Sequence, residues 1–244
     1  MALILNIDTG QDTACISLTK DGAIITAITN DTQKDHAAWI NAAIDKLFAR
    51  TKYNIDDLAA IGVSNGPGSY TGLRIGLSTA KGLCYALKIP LIAVGTLQVM
   101  ALNAVQALAK SGLQSADTGS ENKLRDVLIC PMIDARRIEV FTAIYDVRLN
   151  EVVKPQACVL GPASFGELLK RQKILFLGNG SKKFQQVCQH LDNAIFKNFP
   201  LNPSALGTLI YRDFIGNNFA GLAYTEPLYL KEPYAMKKAD SKKM

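Results

Sequence analysis

Three glycines in Gly66-Pro67-Gly68-Ser69-Tyr70-Thr71-Gly72 stand between an apolar run and a helical pattern, the setting in which free N–H groups at a helix start bind phosphate. The spacing argues against that chemistry. A Walker loop needs Lys and then Ser or Thr after its last glycine, and here Leu73-Arg74 follow. A dinucleotide fingerprint is one residue shorter, and Pro67 removes a donor. The segment is therefore expected to be a structural turn feeding a closely packed helix. Asp134-Ala135-Arg136-Arg137 is expected at a hairpin, either as a charged tip or as paired arginines able to grip a carboxylate or phosphate. Gly178-Asn179-Gly180 is expected to be a turn before a helix. His36 and His190 are the only histidines and match no metal-binding spacing. Cys15, Cys84, Cys130, Cys158 and Cys188 are scattered, with no C-x-x-C pair, and are expected to be small buried thiols.

The 244 residues carry a net charge of +6, but Lys237, Lys238, Lys242 and Lys243 against Asp240 account for half of it. The rest of the chain is only mildly basic. The Lys-rich terminus is expected to be a solvated tail or an electrostatic aid to binding an anionic partner such as RNA. No apolar run reaches the roughly 20 residues that span a bilayer. The start, MALILNIDTG, lacks a basic leader and reaches Asp8 at once, so a first strand and a cytoplasmic protein are expected, with no membrane partner.

Strands are expected at 3–7, 14–18, 23–28, 58–64 and 90–94, and helices at 34–50, 69–87 and 96–110, in the order βββαβαβα. Asp21-Gly22 between apolar runs is a hairpin signal. A polar stretch, 114–125, follows without periodicity. The pattern then restarts, with strands at 126–133, 138–146, 151–160 and 174–177 and helices at 162–171, 181–191 and 202–217, the last with Pro203 near its start and Ser204 as its cap. Two βββαβα halves resemble the two-lobed α/β fold of the actin, Hsp70 and sugar-kinase superfamily. The expected division is an N-terminal lobe at 1–112, a linker at 113–125, a C-terminal lobe at 126–233 and the Lys-rich tail at 234–244. In kinases of that superfamily an Asp-x-Gly hairpin holds Mg²⁺ and phosphate, and Asp8, Gly10 and Asp12 stand in its place. The second lobe offers no matching glycine-rich hairpin. Nucleotide binding by the chain alone is thus expected to be weak or absent. The competing reading is a small-molecule kinase of the same superfamily, similar to the short pantothenate kinases.

Gly72, Gly76 and Ala80 recur at four-residue spacing on the second helix. Helix-interior glycine costs about 0.8–1 kcal/mol relative to alanine, so Gly72, Gly76 and Gly82 together forfeit on the order of 2–3 kcal/mol. The expected compensation is a second polypeptide packed closely on that ridge. With the first helix's apolar stripe, the expected partner face comprises Trp39, Ala43, Ile44, Leu47, Tyr70, Gly72, Leu73, Gly76, Ala80 and Leu83.

ILNIDTGQDTACISL, SNGPGSYTGLRIGLSTAKGLCYALKIPLIAVGTLQVMA, IDARRIEVFTAIYD and EPLYLKEPYA, in order along nearly the whole chain, resemble the TsaB (YeaZ) family. The family's His-Ser-Glu at the start of the first helix is His36-Ala37-Ala38 here. The resemblance implies a non-catalytic subunit of bacterial tRNA threonylcarbamoyladenosine synthesis. It would bind the catalytic TsaD through the first two helices, work with the ATPase TsaE, meet tRNA through the complex and form a homodimer when alone. No cofactor of its own is implied; a nucleotide at the subunit junction is left open.

Overall fold

The computed structural model describes residues 1–32, 36–110, 127–188 and 192–231. The linker, the Lys-rich tail and His190 lie outside them. In the first sheet, β1 (Leu3–Asp8), β2 (Ala14–Lys20) and β3 (Ala23–Asn30) form an antiparallel meander. Strands β4 (Ala60–Ser64) and β5 (Leu91–Val94) extend it in parallel, in the order β3-β2-β1-β4-β5. The second sheet repeats this plan with β6 (Val127–Asp134), β7 (Glu139–Tyr145), β8 (Glu151–Val159), β9 (Lys173–Leu177) and β10 (Ala194–Phe196), in the order β10-β9-β6-β7-β8. The two-lobed fold expected from the pattern is the one observed. Asp21 and Gly22 take positive φ (50° and 79°) and close the β2–β3 hairpin as their types demand.

Among the described residues, six α-helices accompany the sheets: α1 (His36–Ala49), α2 (Tyr70–Leu87), α3 (Thr96–Lys110), α4 (Gly166–Leu169), α5 (Ser181–Val187) and α6 (Pro203–Ile215). Side-chain alternation along β1 separates two cores. Leu3, Leu5 and Ile7 join α1 and α2 on one face, while Ile4 joins Ala205, Leu206, Leu209 and Ile210 of α6 on the other. The approach of α6 is close: a side chain at Gly62 would collide with Ile210. Helix α3 packs on the second sheet, where Leu97, Met100, Ala101, Ala104 and Leu108 meet Ile129, Ile133, Ala143, Tyr145, Leu175 and Leu177.

Several expectations are corrected. The division at 113–125 assigns α6 to the second lobe, yet α6 covers the first sheet while α3 covers the second, so each half lends one helix to the other. The chain after α6 also returns to the first lobe: Ala220 bridges Leu91, and Leu228 N–H donates to Asn65 O at 2.8 Å. The α6 cap is Asn202, whose side chain accepts from Ser204 N–H at 3.2 Å, rather than Ser204. Helix α4 spans four residues rather than ten, and β10 was not expected.

Candidate functional site

Asp8 ends β1 with 2% of its surface exposed. Its carboxylate accepts from Ser64 Oγ (2.6 Å), Gln11 Nε2 (2.9 Å) and Gly10 N–H (3.2 Å). Burial raises its pKa above the ordinary carboxylate value, against the pull of those three hydrogen bonds. Asp8 does not line the space between the lobes; Gly10 and Asp12 do. Asp12 instead reaches across, its Oδ2 accepting from Asn179 Nδ2 at 2.9 Å.

The glycine ridge of α2 lies under this turn. A Cβ at Gly72 would collide with Thr9 O, one at Gly76 with Thr9 Oγ1, and one at Gly68 with Gly10 O. Thr9 Oγ1 donates to Gly72 O (2.7 Å), and Ser69 N–H donates to Gly10 O (2.8 Å). The partner that comes close to the ridge is thus the chain's own β1–β2 turn, and the intermolecular reading of Gly72, Gly76 and Ala80 is corrected. Four-residue spacing reports a close neighbour without saying which one. Ala43, Ile44, Leu47, Leu73 and Ala80 are likewise buried within the lobe. Trp39 and Leu83 are partly exposed at its edge. Tyr70 is exposed, with the Arg74 guanidinium 4.1 Å from its ring centroid and the Tyr229 ring 5.0 Å away.

Gly82 is different. Nothing lies within 4 Å of a Cβ built there, so its cost of about 1 kcal/mol has no offset within the described residues. It is exposed together with Ser78, Tyr85 and Ala86 on α2, and Ala37, Ala38, Asn41, Ala42 and Asp45 are exposed on α1. Tyr85 is 80% exposed. The sequence held a signal for this second face. Gly82 falls two residues after Ala80, roughly 200° round the helix, and so cannot share the ridge's explanation.

Between the lobes lies a cleft of about 1210 Å³. Its second-lobe wall is the β6–β7 turn and the Gly178–Gly180 turn. Asn179 Oδ1 accepts from Asp134 N–H (2.8 Å), Lys183 pairs with Asp134 (2.6 Å), and Asp134 Oδ1 accepts from Arg136 N–H (2.6 Å). Arg136 and Arg137 both take left-handed backbone, at φ 69° and 48°. For residues with a Cβ this costs on the order of 1–2 kcal/mol each. A strap of chain after α6 crosses the cleft edge: Asn65 Nδ2 donates to Glu226 O (2.9 Å), Arg74 Nε donates to Tyr229 Oη (2.9 Å), and Lys231 pairs with Glu139 of β7. Among the described residues, no three His, Cys, Asp or Glu side chains gather as a metal site. Cys15, Cys84 and Cys130 are buried, with pKa values pushed up to about 12, 11 and 12 by desolvation; Cys158 and Cys188 are only partly buried, against expectation.

Sheet order, exchanged helices and the intervening cleft define a two-lobed α/β protein of the actin, Hsp70 and sugar-kinase class. A family model described as "TsaD: tRNA N6-adenosine threonylcarbamoyltransferase" matches residues 25–207. The TsaB protein of Bacillus subtilis, described as a tRNA threonylcarbamoyladenosine biosynthesis protein, is 33% identical over 191 residues, covering 76% of this chain and 75% of its own. The chain belongs to the TsaB (YeaZ) family. The Escherichia coli TsaB protein is 25% identical over 245 residues, 98% of this chain and 99% of that one. In fold, YeaZ from Pseudomonas aeruginosa superposes with a TM-score of 0.74 at 21% identity, over 94% of this chain and all of that one. Among the described residues, no helix is long and apolar enough to cross a membrane.

Proposed function

We propose that this chain is a non-catalytic subunit in the synthesis of threonylcarbamoyladenosine on tRNA. It pairs with a TsaD-type threonylcarbamoyltransferase through the outer face of α1 and α2 and holds that enzyme in a productive state. Membership of the TsaB family supports a part in this biosynthesis. The observation that carries the pairing is Gly82, a mid-helix glycine with open space over it, flanked by the exposed Tyr85 and by the exposed alanines of α1. A facing helix can lie against such a surface with little steric hindrance. Without that partner, the same face pairs with a second copy of the chain. On this reading a TsaE-type ATPase and tRNA meet the chain in the complex, in the cytoplasm.

The kinase reading needs Asp8 to face the cleft and hold Mg²⁺; Asp8 is buried, and three donors already occupy it.

Co-purification with a TsaD subunit tests the pairing. Gly82→Leu is expected to abolish the complex and shift the lone chain from dimer to monomer in sedimentation, with an unchanged far-UV spectrum. A fully retained complex would refute it. Gly76→Leu is unsuited to this test, because it strikes Thr9 and damages the fold itself.

A further inference from the structure

We propose that Arg74 is the specificity point of the α1–α2 face. Its guanidinium, fixed between Tyr70 and Tyr229, takes a carboxylate of the partner protein, so the face favours an acidic partner over a second copy of itself. This inference rests on the pairing reading above and adds to it the chemistry of the partner.

Position comes first. Arg74, Ser78 and Gly82 recur at four-residue spacing and Tyr85 follows three later, so these four exposed residues share one side of α2. Arg74 therefore belongs to the same surface as the open glycine, about two turns nearer the start of the helix. The chain after α6 runs alongside, with Lys81 Nζ donating to Ala223 O (3.3 Å) and Arg74 Nε to Tyr229 Oη (2.9 Å).

The side chain is also held in advance. The guanidinium carbon lies 4.1 Å from the Tyr70 ring centroid and 5.9 Å from that of Tyr229. Tyr229 is steadied in turn, because Asn65 bonds the backbone of Glu226 and Leu228 just before it. Much of the rotamer freedom that an arginine surrenders on binding is thus already lost. Among the described residues, neither terminal nitrogen of Arg74 donates a hydrogen bond, and no carboxylate pairs with the group. Those two nitrogens form the fork that grips both oxygens of a carboxylate. A neutral donor would serve the Tyr229 hydroxyl; the unused charge is what calls for a partner. Arginine and tyrosine together are also the residue types that most often dominate binding at protein interfaces.

The charge balance of the face selects that partner. Helices α1 and α2 together contain one carboxylate, Asp45, against Lys46, Arg74 and Lys81. Two copies laid face to face bring like charges together, which disfavours self-pairing, whereas an acidic partner gains from the same charges.

Calorimetry against a TsaD-type subunit and sedimentation of the lone chain test this on Arg74→Gln. The variant is expected to bind that subunit about tenfold more weakly, with a flatter salt dependence. Its self-association should be unchanged or tighter, and its melting temperature should match the wild type. Arg74→Lys, which keeps the charge but loses the fork, should recover only part of the affinity. Full affinity in Arg74→Gln, where Gly82→Leu abolishes the complex, would overturn this inference and leave the pairing standing. A complex that survives Gly82→Leu would overturn both. Self-association weakened equally by Arg74→Gln and Asp45→Asn would give Arg74 to a second copy instead. A loss of affinity matched by a lower melting temperature would make it only a clasp for the strap. Weaker binding of unfractionated tRNA, with affinity for the subunit intact, would make it a nucleic-acid contact; each of these three results also overturns the proposal.

Discussion

A carboxylate with 2% exposure and three donors would ordinarily suggest a functional group, yet Asp8 acts here as a tie between β1, β4 and the β1–β2 turn. Its raised pKa has a definite sign for stability. The folded protein holds this proton more tightly than the unfolded chain, so stability falls as pH rises from the ordinary carboxylate value through the folded one. Asp8→Asn removes that dependence. The melting temperature of the variant minus that of the wild type is therefore expected to increase with pH from about 4 to 7, measured by calorimetry across buffers; a flat difference would place the charge in a better-solvated site. The thiols are predicted in the same way. With pKa values near 12, 11 and 12, Cys15, Cys84 and Cys130 hold almost no thiolate at neutral pH. Iodoacetamide treatment of the native protein should leave all three unmodified by peptide mapping, and fast alkylation of any one would contradict the packing around it.

Helix α2 carries two kinds of glycine, and they predict effects of opposite sign. Gly76→Ala pushes a methyl group into Thr9, whose hydroxyl is committed to Gly72 O, and should cost about 1–3 kcal/mol. Gly82→Ala meets nothing and should stabilise the isolated chain by about 0.5–1 kcal/mol, raising the melting temperature by a few degrees. Chemical denaturation of the two variants checks both signs. The contrast also shows what the amino-acid pattern could disclose. Helix α2, the Asp21-Gly22 hairpin and the βββαβαβα order of elements in the first half were legible, because periodicity and turn chemistry are local. The identity of the ridge's neighbour was not, since spacing records a close approach without a direction. The hairpin at Asp134–Arg137 was legible as well, but the left-handed backbone of its two arginines was not, because the β6–β7 tip lacks the glycine that would signal it. Strand β10 escaped because its three residues, Ala194–Phe196, are too few to establish a period.

The exchange of helices decides how the whole molecule holds together. The first sheet is buried on both faces only when α6, from the far end of the chain, covers Ile4, Ala60, Ile92 and Val94. The second sheet in turn depends on α3, from the first half, over Ile129, Ala143 and Leu175. Neither half therefore possesses a complete core, although each has a complete sheet order. The repeated order of elements suggested two lobes at 1–112 and 126–233; packing argues for one cooperative unit. A fragment ending at residue 112 would present an apolar sheet face to water, and such exposed faces drive association. It is expected to be insoluble or aggregated, and a fusion of 1–112 to 201–231 through a flexible linker should restore solubility by returning α6 and the strap. The intact chain should melt in one calorimetric transition whose calorimetric and van't Hoff enthalpies agree. Two resolved transitions, or a soluble and folded 1–112 fragment, would mean that the polar contacts between lobes, Asp12–Asn179 and Lys231–Glu139, join bodies already stable on their own. Exposed pairs of this kind contribute about 1 kcal/mol or less, so removing them with Asn179→Ala and Lys231→Ala should leave the single transition within a few degrees of its original temperature.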